Sequence, residues 1–274
     1  RDLKWYGLER TFTGQLATED LKAMAFGNAK DRVVGRTQTT AVYDEGLRAY
    51  MLRVYNYMGM GLAITGVVAF VVAQMSVVFG PSGEIVALNQ FGNTLFNSPL
   101  LWVVALAPIG LVFQFAARIN MMSAASAQMV FWGFAALMGM SLSSILITYT
   151  SESVARVFFI TAATFGAMSL YGYTTKRSLA NWRSFLFMGL IGVIIAMVVN
   201  IFMQSSALGF AISVVGVLVF TGLTAYDTQK IKSIYNEADG SATMTKKAIM
   251  GALTLYLDFI NLFLMLLRLF GECR

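Results

Sequence analysis

The chain has 274 residues, of which 57% are hydrophobic and 12% charged, with a net charge of +6. A soluble domain carries about 25% charged residues, so a soluble enzyme, a disordered chain and a nucleic-acid-binding domain are excluded, and no nucleic-acid partner is expected. There is no histidine and a single cysteine, Cys273, which removes Ser-His-Asp catalysis, His-ligated zinc and any internal disulfide.

Residues 1–45 read as a cytoplasmic tail, of which Arg1–Lys30 has scattered charges, a weak helical pattern and no clear apolar face. The chain begins with Arg, and Met24 marks an alternative natural start that makes residues 1–23 an upstream extension; an ordinary tail is the equal alternative. From Asp44 the stretch DEGLRAYMLRVYNYM reads as the entry of an amphipathic helix. Acids stand at its positive dipole end, and Leu47, Met51, Val54, Tyr55 and Met58 fall near one face.

The membrane domain is expected over 46–274. A spanning helix needs about 20 mostly apolar residues, and such runs lie at 53–79, 100–118, 122–149, 154–174, 184–204 and 208–227. A seventh, 248–270, is interrupted by Asp258, Asn261 and Arg268. The run at 53–79 is too long for a signal peptide. The fold class is therefore an all-α membrane protein with seven transmembrane helices. With the N-terminus in the cytoplasm, 17 of the 20 Lys+Arg fall inside, leaving Arg156, Arg268 and Arg274 outside. Positive charge is retained on the cytoplasmic face, so the C-terminus is expected outside. Six spans, with the last segment lying on the inner face, is the competing topology.

Charges inside a span are costly and are functional candidates by default. Two carboxylates qualify: Asp227 in FTGLTAYDTQKI and Asp258 in LTLYLDFINLFLMLLRLFG. Each is the other's most economical partner. Two carboxyls at hydrogen-bond distance in low dielectric cannot both ionise cheaply, so one proton is shared. Its loss drives the helices apart, which makes a pH-sensitive clasp. The ends of the apolar runs put the two acids at depths about 9 Å apart, an offset that tilt or a helix break must absorb. Arg118, in FQFAARIN, either neutralises one Asp in a closed state or snorkels to the interface as an anchor. Asn261, one turn beyond Asp258, is a candidate hydrogen-bond support for the pair. Ser141, Ser143, Ser144 and Thr148 read as packing glue. Asn56 and Asn200 read as helix-to-helix hydrogen bonds, and Glu152 with Arg156 as a surface pair.

At these residues a resemblance becomes specific. LYLDFINLFLMLLRLFG closely resembles the last span of the Bax inhibitor family, bacterial members included. TAYDTQKI resembles the end of that family's sixth span, and YGYTTKRSL followed by NWRSFLFMGLIG its fourth-to-fifth connection. The likeness runs from Tyr50 to Gly271 and does not reach the first 40 residues. It implies a seven-helix bundle with the seventh helix central, wrapped by the other six. It also implies a pH-dependent calcium leak channel whose aspartyl proton sensor matches Asp227 and Asp258. An arginine that latches the pair in some members matches Arg118 approximately. A glutamate that some bacterial members carry earlier in span two has no counterpart in PLLWVVALAPIGLVFQFAAR. The restraint of cell death described for eukaryotic members is not carried to this chain.

The favoured function is thus a passive Ca²⁺ leak, with Asp227 and Asp258 as a transient Ca²⁺ site. Ca²⁺ is the permeant ion, H⁺ and the lipid bilayer are the other partners, and neither a cofactor nor an enzymatic activity is expected. The favoured localisation is the bacterial inner membrane. A proton-coupled transporter would use the same carboxylates as a relay. An intramembrane aspartyl protease would use them as acid and base, although the GxGD of such enzymes reads LYLD here. A purely structural or partner-binding role is the remaining alternative.

Overall fold

Residues 44–81 and 84–274 are described by the structure, a computed structural model. The expected tail, up to residue 43, and the alternative start at Met24 lie outside the described residues. Seven helices are long and apolar enough to cross a membrane. The chain is a multi-pass integral membrane protein of nearly all-α fold.

Helix α1 runs over Asp44–Ser76. A short hairpin follows, β1 (Val77–Phe79) against β2 (Ile85–Leu88), with Val77 opposite Leu88. The first apolar run therefore ends as a helix at Ser76 and not at residue 79. The β-branched pair Val77–Val78 suits a pleated strand, and the chain turns back at this point. Helices α2 (Gln90–Phe96), α3 (Leu100–Arg118), α4 (Ala124–Thr148), α5 (Ser151–Thr174), α6 (Arg183–Met203), α7 (Ser206–Ser233) and α8 (Ser241–Phe270) complete the order. Several start where a polar side chain accepts an otherwise orphaned N–H. Asn89 caps Gly92, Ser123 caps Ser126, Thr150 caps Ser153 and Ser205 caps Leu208. Helix α6 ends at Gln204 in the left-handed region, with φ 49°. The Asn200 carboxamide accepts from Ser205 N at 3.1 Å, which ties the end of α6 to the N-cap of α7.

Helix α8 is the centre of the bundle. Over its most apolar window 72% of residues are buried, against 39% or less for every other span. Helices α4, α5 and α7 pack on it directly. Helix α1 reaches it where Thr65 Oγ1 lies 2.7 Å from the Tyr256 hydroxyl. Helix α3 packs principally on α4, and α6 on α7, so α8 is not wrapped evenly by all six. Edge-on aromatic contacts fill the core: Phe131 and Phe134 of α4 on Tyr256, and Phe158 and Phe165 of α5 on Phe259.

Beyond α8 the last residues fold back on the α4–α5 turn. Arg274 N donates to Thr148 O, Thr150 N to Glu272 O, and Glu272 N to Ser153 Oγ. The Arg156 guanidinium pairs with Glu272 at 2.7 Å. This corrects the local Glu152–Arg156 pair expected from spacing: the tail brings a better-placed carboxylate to the same arginine.

Candidate functional site

Helices α7 and α8 form an antiparallel pair joined by residues 234–240. The connection is held by Lys247 Nζ, which donates to Ile234 O at 3.0 Å and to an Asp239 oxygen. Two small residues let the helices approach. A β-carbon on Gly251 would stand 3.0 Å from Ile231 Cγ2, and one on Gly216 would stand 2.8 Å from Met265 Cγ and Sδ. These contacts set the register. Asp258 comes level with Thr224, one turn of α7 away from Asp227, an axial offset of about 5 Å. The 9 Å offset expected from the apolar runs is reduced without a break in either helix. The reason is the packing register, in which Gly251 meets Ile231 and Gly216 meets Met265, so that the first turns of α8 run past the end of α7.

Both carboxyls are buried: Asp227 is 8% exposed and Asp258 6%. The Asp258 Oδ2 has no hydrogen-bond partner among the described residues. Asp227 Oδ1 lies 4.0 Å from Lys230 Nζ, an i,i+3 pair in which the lysine reaches outward. No hydrogen bond joins the two carboxyls among the described residues. An unpaired charge in such a place is expensive.

The surroundings are small and polar on the α5 side. Ser169 Oγ lies 3.0 Å from Thr228 Oγ1 and 2.7 Å from the Tyr55 hydroxyl. Thr228 in turn donates to Thr224 O at 2.7 Å. A buried polar seam thus joins α1, α5 and α7 next to Asp227. Helix α5 comes close because Gly172 faces the Ala225 carbonyl with no side chain between.

Of the other sequence candidates, Arg118 stands exposed at the end of α3 and makes no ion pair with either aspartate among the described residues. The cation beside the pair is Lys230. Asn261 Nδ2 donates to Leu257 O at 2.9 Å, a bond within its own helix, and so does not support the pair. Ser143, Ser144 and Thr148 also bond to carbonyls of their own helix. Lys230, Thr224, Thr228, Ser169 and Tyr55 are site residues that the sequence pattern alone does not single out. The available signal is the TAYDTQK order, with a threonine on either side of Asp227 within one turn and a lysine one turn on.

No group of three or more His, Cys, Asp or Glu side chains that could hold a metal occurs among the described residues. Two carboxylates supply only part of the six to eight oxygens that Ca²⁺ takes. An apolar cavity of about 140 Å³ lies between α1, α4, α5 and α8, lined in part by Thr65, Phe158, Phe259 and Ile260. It adjoins Asp258 along α8 without including it.

Residues 47–274 match the family described as Inhibitor of apoptosis-promoting Bax1. The Inner membrane protein YbhL of Escherichia coli K12 is 47% identical over 231 residues, which cover 84% of this chain and 94% of that protein. An uncharacterized protein of Rickettsia prowazekii is 46% identical over 238 residues, covering 87% and 95%. An uncharacterized membrane protein of Streptococcus pyogenes is 37% identical over 233 residues, covering 84% and 95%.

Proposed function

The chain belongs to the Bax inhibitor family, and on that premise we propose that it is a pH-sensitive calcium leak channel of the bacterial inner membrane, closed by the Asp227–Asp258 pair. One observation carries the reading: two buried carboxyls sit one turn apart on the central helix and its closest neighbour, and one carries an oxygen without a donor. A proton on the pair removes one of two like charges and lets α7 and α8 stay packed. Its loss leaves two charges that repel in a poorly solvated place. The helices then part at the basic end of α7, which faces the cytoplasm. The same carboxylates draw Ca²⁺ in, with carbonyls and water completing its shell. Lys230 offsets part of the charge at Asp227 in the closed form, the role that the resemblance gave to Arg118.

The sign follows. Raising pH removes the proton, so the leak rises with pH and falls in acid. Asparagine cannot lose that proton, so Asp227→Asn and Asp258→Asn each flatten the pH profile. Proteoliposomes loaded with a Ca²⁺ dye and assayed across pH test this directly. Unchanged flux and an unchanged profile in both variants would overturn the proposal.

A further inference from the structure

The aspartate pair leaves unused a recess of about 360 Å³ between the basic end of α7 and the α5–α6 connection. Its wall carries Lys176, Ser178, Tyr226, Gln229, Lys230 and Ser233. The residues that line it include two ammonium groups and no carboxylate. The wall is preformed. Gln229 accepts from Leu179 N at 2.7 Å and donates to Arg177 O at 2.9 Å, while Lys232 Nζ donates to Tyr173 O at 2.8 Å. The two lysines are differently placed from this scaffold. Lys176 makes no hydrogen bond among the described residues, and Lys230 has only its 4.0 Å contact with Asp227.

The depth of the recess is marked by its neighbours. Trp182, 58% exposed, stands edge-on to Phe185, 62% exposed, at the start of α6. An exposed tryptophan at a span end belongs at the level of the lipid headgroups. Arg177 and Arg183, both exposed, add to a basic rim that concentrates anionic lipid. A recess with two cations, hydroxyls and no acid, at headgroup depth and open beside lipid-facing α6, fits a tethered phosphate.

We propose that this recess seats the phosphodiester headgroup of an anionic lipid, with Lys176 and Lys230 as its cationic partners and the Ser178 and Tyr226 hydroxyls as donors. A consequence follows for the gate, and it rests on the aspartate-pair reading whereas the binding does not. Lys230 is the cation of both sites, so an occupied recess draws it from Asp227 and changes the charge that the pair must balance. Anionic lipid then acts on the leak through one shared ammonium.

Native mass spectrometry of the full chain in detergent, titrated with phosphatidylglycerol or phosphatidylcholine, tests the binding. The expected result is preferential retention of one phosphatidylglycerol. Lys176→Gln and Lys230→Gln are each expected to weaken it about fivefold, and the double variant multiplicatively. Arg268→Gln, at the opposite end of α8, leaves it unchanged. Melting in the same detergent reports folding. If the double variant is unfolded, Lys176→Gln, at an exposed side chain without a hydrogen bond, carries the test. Equal retention of the two lipids by the unmodified chain overturns the proposal, as does undiminished phosphatidylglycerol binding in the folded lysine variants. Displacement of the lipid by millimolar inorganic phosphate reassigns the recess to a soluble ion and overturns the lipid assignment. Lipid retention and Asp→Asn flux are separate readouts, so the failure of either is distinguishable from the failure of the other.

Discussion

Gly172→Ala is the sharpest probe of the packing that holds the site. A β-carbon at position 172 would stand 2.9 Å from the Ala225 carbonyl carbon and 3.0 Å from its α-carbon, and closer still to its oxygen. These are backbone atoms of α7 and cannot rotate away, so α5 and α7 must separate. Ordinary contact begins at 3.4 Å, and relieving the clash with the oxygen requires a parting of about 1 Å. Ser169 lies one turn earlier on α5, at 3.0 Å from Thr228. The same parting takes that bond beyond hydrogen-bond range. Overpacking costs about 1–3 kcal/mol and the lost hydrogen bond about 1 kcal/mol. Replacing glycine within a helix returns about 1 kcal/mol. The net expectation is a loss of roughly 1–3 kcal/mol, read as a lower melting temperature in detergent. Gly166→Ala on the same helix is the control, because nothing lies within 4 Å of a β-carbon there; it should be neutral or stabilising. If Gly172→Ala melts as high as Gly166→Ala, the close approach of α5 to α7 is refuted, and with it the seam beside Asp227.

Two further outcomes are expected. Cys273 is free and exposed, so a membrane-impermeant maleimide should label it in spheroplasts if the C-terminus is outside; labelling only after lysis would refute that orientation and put the C-terminus inside. Gln229→Leu removes two hydrogen bonds that hold the α5–α6 connection, at about 1 kcal/mol each. Trypsin cleavage at Arg177 should then accelerate by roughly thirtyfold, since cleavage of a transiently opened segment tracks its open population. An unchanged digestion rate would count against the clamp.

The seven spans were legible because an unbroken apolar run has few other uses. Their ends were not. Residues Ser241–Lys247 of α8 are polar and fall outside the apolar run 248–270, although Lys247 bonds back to the α7–α8 connection and makes these turns worth forming. The Val77–Phe79 strand was absorbed into the first span because apolar content alone cannot tell a strand from the end of a helix. Asp227 and Asp258 stood out for their cost in lipid. Thr224, Thr228 and Ser169 carry no such cost, since each can bond to a neighbouring carbonyl or hydroxyl, and so gave no warning that they sit together. That Arg118 stays away from the pair depends on which helices touch, and the Arg156–Glu272 pair depends on where the tail returns. Both are long-range outcomes that local spacing does not encode, whereas Lys230 lies three residues from Asp227 on the same helix.

The tail clip at the Thr148–Thr150 turn bears on how the central helix can move at all. Main-chain bonds from Glu272 and Arg274 anchor one end of α8 to its neighbours, so the helix cannot slide along its axis as a piston. It can swing. Asp258 stands roughly 20 Å from that anchor and Ser241 about 45 Å, so a small tilt displaces the lysine-rich end about twice as far as the carboxyl. Under the gate proposed above, such a lever would open a gap first at the end far from the tail, with the anchored end held by the clip.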